Sequence, residues 1–227
     1  MLRLTRHGFW EMLIGAIILL ALALGLGWLW WPLAIAPALV LIWLFAFFRD
    51  PDRPITEDAS LMVSPADGMV SDIIDLPHFE PLGGPCVRVG IFLSVFNVHV
   101  NRSPCEGHVV SVTYKKGNFL NALNHSGASE QNESNTLVIA APGTEIPVAV
   151  VKQIVGLIAR RIVCTSKPGD ILSRGERIGM IKFGSRTELY IPLILNPQVL
   201  VKVGQKVRGA ADIIARVDWS MRGGPVG

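Results

Sequence analysis

Between Met12 and Phe48 the sequence carries no charged residue, and nowhere does it carry a C-x-x-C pair, an H-x-H pair or a long basic run. Each absence removes a class of protein. Cysteine is confined to Cys86, Cys105 and Cys164, an odd set without metal-ligand spacing. That argues against a disulfide framework or a structural zinc site and agrees with a reducing compartment. A zinc peptidase on a lipoyl-like fold needs a second histidine beside the first, and "VHVN" around His99 lacks it. The net charge is only +3, with Lys and Arg scattered, which leaves no nucleic-acid footprint.

What the uncharged run does hold is apolar length. A spanning helix takes about 20 apolar residues, so the run has room for one long helix or two short ones. "GWLWWP", Gly27 to Pro32, interrupts it. Pro32 disfavours an unbroken helix, and tryptophans favour the membrane–water interface. The expectation is a helical hairpin, 11–31 and 33–48, that spans or lies as a shallow re-entrant element. Arg3 and Arg6 precede the run, and Arg49 and Arg53 follow it. Basic flanks at both ends place both on the cytoplasmic side of the cell (inner) membrane. A signal peptide cut near Ala21–Ala23 is the rival reading, weakened by the second apolar stretch that follows at once.

After a polar linker containing Pro51 and Pro54, the chain changes character. Short runs rich in β-branched residues, such as "CVRVGIFLSVFNVHV" and "TLVIAAPGTEIPVAVV", alternate with Gly, Pro, Asn and Asp. These predict strands. The fold class expected is mainly β (α+β): a compact barrel or sandwich domain over 50–227, preceded by the membrane-anchoring hairpin over 1–49. "KPGDILSRGERIGMIKF" and "LVKVGQKVRGAADIIARV" both set two glycines between strands, like the hairpins of biotinyl and lipoyl domains. "NFLNALNHSGASEQNESN" is polar and reads as a long loop, or as a short helix and loop.

Four places have side chains suited to chemistry. Gly184-Ser185 lies between two predicted strands. A glycine carbonyl is open to close approach by a hydroxyl, and rigid flanks hold a strained turn in place. The ordinary reading is a bulge followed by a hydrogen-bonded serine. Arg186 adds a positive charge beside the bond, suited to an oxyanion, although a solvated strand-end arginine is the commoner fate. Asp67, in "SPADG", is either a β-turn carboxylate bonded to its own backbone or one that orients a histidine. In "FNVHVNRSP", alternation puts Asn97, His99 and Asn101 on one polar face. His99 is thus either a satisfied buried histidine or a general acid–base. Arg102 is suited to a carboxylate or phosphate. His78, His108 and His125 lie in turn-rich contexts and receive no role.

Taken in order, "SPADG", "FNVHVNRSP", "YKKGNFLNA" with "ASEQNESN", "QIVGLIARRIV", "GERIGM" and "KFGSRTELYIP" resemble the short bacterial phosphatidylserine decarboxylase proenzymes. The resemblance covers nearly all of the chain after the hydrophobic run. It implies that the Ser185 hydroxyl attacks the Gly184 carbonyl, and that the ester breaks by β-elimination into 1–184 and 185–227. It implies that Ser185 ends as a covalent pyruvoyl group that forms a Schiff base with the substrate amine. The product would be phosphatidylethanolamine, with carbon dioxide released. The implied partners are a phospholipid substrate, a membrane and the two cleavage chains themselves, with room for a homo-oligomer and with no metal. Longer relatives carry H-x-x-H, whose second histidine completes a relay with the aspartate of PADG. Here the motif reads H-V-N-R, with His99 first and Arg102 second, so the relay does not carry over. The roles expected are substrate protonation and help in cleavage for His99, orientation for Asp67, and substrate binding for Arg102.

The alternative from another class is a non-enzymatic, membrane-anchored β adaptor of the biotinyl or lipoyl type. A swinging domain of that type shows a lysine at a hairpin tip, typically next to methionine, and none of the turns offers that pair.

Overall fold

The computed structural model describes residues 3–119, 129, 131–156, 161–182 and 185–222, the side chains of 221 and 222 excepted. The chain divides into two compact units, Met1–Asp52 and Arg53–Gly227.

The first unit is a helical hairpin. Helix α1 runs Phe9–Leu29 and α2 runs Ile35–Phe47, joined through the 3₁₀ turn Trp31–Ala34. Pro32 sits in the first turn of that 3₁₀ segment, where a missing N–H breaks no helical bond. At about 1.5 Å per residue α1 is about 32 Å long, enough to cross a hydrocarbon core, and α2 is about 20 Å, which is short of one. Neither helix has a polar face, and Trp28, Trp30 and Trp31 stand exposed at the turn. The open end is tied by backbone. Thr5 N–H donates to Phe48 O at 2.9 Å, and Asp50 N–H donates to Arg3 O at 2.7 Å.

The second unit is mainly β, as the alternating runs predict, and its sheets are antiparallel. Eight strands form the large curled sheet. In spatial order they are β13 (Lys206–Val207), β2 (Gly68–Phe79), β3 (Gly84–Leu93), β11 (Ser185–Pro192), β7 (Pro147–Val155), β6 (Ser134–Ala140), β5 (Gly107–Lys115) and β9 (Ile171–Leu172). A three-stranded sheet pairs β1 (Leu61–Val63) with β14 (Ile213–Arg216) and β14 with β12 (Gln198–Val199). Another sets β10 (Arg177–Lys182) between β4 (Val100–Arg102) and β8 (Arg161–Cys164).

β11 organises the unit. It lies inside the large sheet between β3 and β7, and all eight of its residues are buried. Alternation splits them between two faces. Leu189 and Ile191 join Val89, Ile91, Leu93, Ile139 and Val151 in the main core. Arg186, Glu188 and Tyr190 point to the opposite face, where Tyr190 stacks on Phe79 with ring centroids 3.9 Å apart. A strand buried on both faces has no solvent to receive a charged side chain, so Arg186 and Glu188 require partners inside the protein.

Candidate active site

Ser185 opens β11. Its backbone is in register with Leu93 of β3 and Val155 of β7, so it is held from both sides. The side chain is buried, and its Oγ has no hydrogen-bond partner among the described residues. Leaving a buried hydroxyl unmade costs about 1–3 kcal/mol, and such orphans call for a functional explanation. Gly184, the other half of the expected bond, lies outside the described residues, as does His125.

A chain of side-chain hydrogen bonds runs up to this strand head. Asn135 Nδ2 donates to Gln153 Oε1 at 3.1 Å, Gln153 Nε2 to Asn101 Oδ1 at 2.9 Å, and Asn101 Nδ2 to Thr187 Oγ1 at 3.0 Å. All four residues are buried. Thr187 is two residues beyond Ser185 on the same face of β11, and Asn101 is two residues beyond His99. The network therefore ties the histidine segment to the serine strand.

His99 is fully buried. It precedes β4 and is not part of a strand with the regular alternation its sequence suggests: 95–97 form a turn, and only Val100–Arg102 pair. The His99 carbonyl accepts from Ile181 N–H at 3.2 Å, near the end of β10 and shortly before Ser185. Its ring Nδ1 lies 3.0 Å from Asn97 O. A proton on Nδ1 makes that contact a donated bond and leaves Nε2 as the basic nitrogen.

Asn97 belongs to a rigid turn, its Oδ1 accepting from Ser94 N–H at 2.9 Å and from Ser94 Oγ at 2.8 Å. Ser94 and Asn97 line a cleft of about 600 Å³, together with Asp67, Met69, Phe92, Phe96, Lys206, Arg208 and Asp212. Phe92 and Ser94 of the lining stand on either side of Leu93, the backbone partner of Ser185, while Ser185 and His99 themselves are not among the lining residues. Asp67 reaches it from the PADG turn. Its carboxylate accepts from Arg53 Nη2 at 2.7 Å and from Gly209 N–H at 2.8 Å. Arg208 grips Asp212 with Nη2 at 2.9 Å and Nε at 3.2 Å. The hydrogen bonds from Arg208 hold the Asp212 carboxyl below the usual carboxylate range, against the opposing effect of burial. Lys206 makes no ion pair among the described residues.

Two arginines sit elsewhere than the sequence suggests. Arg102 is only 5% exposed, and its Nη1 donates to Gly175 O at 3.1 Å, in the turn before β10. It is not among the residues that line the cleft. Arg186 is 0% exposed. Its guanidinium donates to Ser71 Oγ at 2.6 Å, Asp72 Oδ2 at 2.6 Å and Glu188 Oε1 at 2.8 Å. Asp72 also accepts from Arg88 at 3.1 Å, and Glu188 Oε2 accepts from Tyr190 OH at 2.6 Å and Ser129 Oγ at 3.0 Å. Burial alone would raise the Asp72 carboxyl, but the Arg186 charge and hydrogen bond, helped by Ser71 and Arg88, hold it below its ordinary value. The cation beside Ser185 is thus built into the face of β11 that Ser185 does not share.

The Asn135–Gln153–Asn101 relay, the Arg186 network and the Arg53–Asp67 pair carry no local sequence signal. The one available hint is that Arg186 and Glu188 stand in a run with strong β character. Among the described residues, no three His, Cys, Asp or Glu side chains are grouped to hold a metal ion.

The phosphatidylserine decarboxylase family model matches residues 40–215. The phosphatidylserine decarboxylase proenzyme of Carboxydothermus hydrogenoformans is 44% identical over 213 residues, 93% of this chain and 95% of that one. The proenzyme of the same name from Rhodopirellula baltica is 44% identical over 93% of this chain and 87% of its own. That of Syntrophus aciditrophicus is 47% identical over 78% and 80%. Matched over most of its length by the family model and by these proenzymes, the chain belongs to the phosphatidylserine decarboxylase family and is a decarboxylase.

Proposed function

We propose that this decarboxylase converts phosphatidylserine to phosphatidylethanolamine and carbon dioxide, after cutting itself between Gly184 and Ser185 to make its own pyruvoyl group. The observation that carries the reading is the Ser185 hydroxyl, buried, unpaired among the described residues and held by strands on both sides. A hydroxyl with no competing hydrogen bond is suited to attack, and a strand pinned by its neighbours keeps it in place.

The processing steps balance with one water consumed and one ammonia released. Ser185 Oγ bonds to the Gly184 carbonyl carbon, the Ser185 amide nitrogen leaves, and the hydroxyl proton ends on that nitrogen. A base then removes the Ser185 α-proton, and the Cβ–O bond breaks, releasing Gly184 as a carboxylate. Water replaces the remaining nitrogen, and ammonia departs. When in place, the resulting ketone at the head of 185–227 supplies an electron sink for the pair freed as carbon dioxide leaves.

The protein's own side chains do the rest. His99, with Nδ1 directed at Asn97 O, offers Nε2 as the group that moves protons at Ser185 and at the substrate carbon. Asp67, clamped by Arg53 and Gly209 N–H, fixes the PADG turn as a cleft wall. Lys206 meets the anionic headgroup in the cleft. Arg102, the sequence candidate for that task, acts in this reading through the Gly175 turn it holds. Helix α1 anchors the chain in the cell membrane, and the basic ends Arg3, Arg6 and Arg49 keep the catalytic unit on the cytoplasmic side.

Intact mass of the purified protein tests the core of this, with amine plus borohydride trapping on a parallel sample. The expected result is two chains split at 184/185, the shorter one blocked at its N-terminus and trappable, and a single uncut chain for Ser185→Ala. An uncut wild-type chain that still decarboxylates would overturn the pyruvoyl reading. An uncut and inactive one would point to the anchored β adaptor.

A further inference from the structure

We propose that the catalytic unit has a membrane-contact edge of its own, formed by the Lys202–Gln205 turn and Phe96 at the mouth of the cleft, which docks on an anionic phospholipid surface. The inference rests on the reading of the cleft as the place where a lipid headgroup enters. It concerns the Arg53–Gly227 unit alone, independently of the N-terminal helices.

Phe96 lines the cleft, the Lys202–Gln205 turn leads directly into Lys206, which also lines it, and each turn presents an apolar side chain to solvent. Phe96 is 71% exposed and Val203 is 61% exposed. Neither turn is slack. The Phe96 turn is closed by Asn97 N–H to Ser94 O at 2.9 Å and by the two Ser94 bonds to Asn97 Oδ1. In the other, Gln205 N–H donates to Lys202 O at 3.0 Å and Lys202 N–H to Gln205 Oε1 at 3.1 Å. That turn is also fastened to β2, with Gly204 N–H on Val70 O at 2.8 Å and Val70 N–H on Gln205 O at 2.9 Å. Gly204 has φ of 86°, a conformation that glycine adopts without strain. Met69, next to Val70 and paired with Lys206, adds a third exposed apolar side chain on the cleft lining. Rigid turns that hold apolar groups in water gain nothing from folding, which marks an interaction surface.

Charge selects the partner. Lys202 and Lys206 flank these side chains, both exposed. The cleft's two carboxylates, Asp67 and Asp212, are already paired with Arg53 and Arg208. Apolar tips among basic side chains fit the headgroup layer of an anionic bilayer, where each lysine near the surface adds about fivefold to partitioning. The most exposed large apolar side chain among the described residues of this unit, Ile171 at 84%, lines a pocket with Glu106 and Glu145. That surface has the wrong sign for the same partner. The cleft edge therefore lets the reacting headgroup enter while its acyl chains stay in the bilayer.

The test uses the full-length protein in lipid nanodiscs, with a bimane fluorophore on Val203→Cys in a Cys164→Ser background. The remaining Cys86 and Cys105 are buried. With phosphatidylglycerol present, the label should be quenched by nitroxide-bearing lipids. Quenching should fall severalfold in phosphatidylcholine-only discs, in high salt, and in Lys202→Glu. In kinetics, Val203→Asp and Lys202→Glu, which do not line the cleft, should self-process fully. They should act within about twofold of wild type on monomeric dihexanoyl phosphatidylserine, yet lose tenfold or more on phosphatidylserine in vesicles. A label that stays in water in every bilayer, or equal losses on both substrates, would overturn the proposal. So would quenching that depends on protein concentration instead of lipid, which would assign the edge to a second copy of the chain. If the wild type fails to process, the pyruvoyl reading falls, and the quenching still decides the edge.

Discussion

Gly90→Ala is the sharpest structural perturbation available, because the space it would fill is already taken by an ion pair. Gly90 lies in β3, opposite Glu188 of β11 and Asp72 of β2. A Cβ built there overlaps the Arg186 Nη2, and stands 2.5 Å from Asp72 Oδ2 and 2.6 Å from Arg186 Cζ. The backbone cannot yield, since β3 is paired on both sides. The guanidinium must move instead, and with Arg186 fully buried it has no water to move into. The Asp72 bond is lost first, and the Ser71 bond made by the same guanidinium is put at risk. Breaking a buried pair costs about 3–5 kcal/mol, out of a total stability of about 5–15 kcal/mol. A unit of this size loses about 2–4 °C in Tm per kcal/mol, so a fall of roughly 6–20 °C follows. The assay is thermal unfolding followed by circular dichroism in a Ser185→Ala background, which under the proposed self-cleavage keeps the chain uncut, so that dissociation plays no part. Gly84→Ala is the control, since nothing lies within 4 Å of the added Cβ, and it should shift Tm by no more than about 2 °C. If Gly90→Ala unfolds with that control, the Arg186–Asp72 pair does not depend on the missing side chain, and the reasoning fails.

The same network sets an acid limit. Asp72 has a depressed carboxyl pKa when folded, so its contribution is present above the ordinary aspartate pKa of about 3.9 and is lost as pH falls through the folded value. Stability measured from pH 5 down to pH 2 should therefore fall less steeply in Asp72→Asn than in wild type, from a lower starting point. Asn101→Ala removes the donor to Thr187 and the acceptor for Gln153, and should lower unfolding free energy by about 2–4 kcal/mol from the two groups left unpaired. It should also slow processing, read as the uncut fraction by intact mass. His99→Ala should process slowly or not at all, and any cut fraction should lose at least about a hundredfold in kcat. Normal processing and turnover in that variant would remove His99 from the mechanism.

The hairpin and the β class were legible because both are written in short-range periodicity. An uncharged run interrupted at Pro32 predicts two arms, and the arms exist. Their ends moved from 31 and 33 to 29 and 35 because the tryptophan–proline segment makes its own 3₁₀ turn. The strands on both sides of Gly184-Ser185 were equally visible. What the pattern misplaced was charge. Arg186 next to Gly184-Ser185 suggests a cation for an oxyanion, but strand alternation turns it to the other face, where Ser71, Asp72 and Glu188 receive it. Arg53, in what reads as a linker, is the ion partner of Asp67. The bond from Asn101 to Thr187 spans 86 residues of sequence. Hydrogen bonds of that kind follow from the register of distant strands, and no local window encodes register between them.

The position proposed for the cut follows from the same topology. The segment 185–227 would contribute β11, β12, β13 and β14, and three of these strands pair with strands of 1–184. β11 lies between β3 and β7, β13 pairs with β2, and β14 pairs with β1. A break immediately before β11 severs one covalent bond and leaves these ladders intact. It also leaves the new chain end on an internal strand, with Leu93 on one side and Val155 on the other. An edge strand would let a new terminus fray, whereas an internal one keeps it registered between β3 and β7. The processed chains should therefore co-elute on size exclusion in native buffer and at high salt. They should separate only at denaturant concentrations that unfold the β unit, so that dissociation and loss of far-ultraviolet β signal share one midpoint. Separation at a lower denaturant concentration would show that the ladders around β11 do not hold the product together.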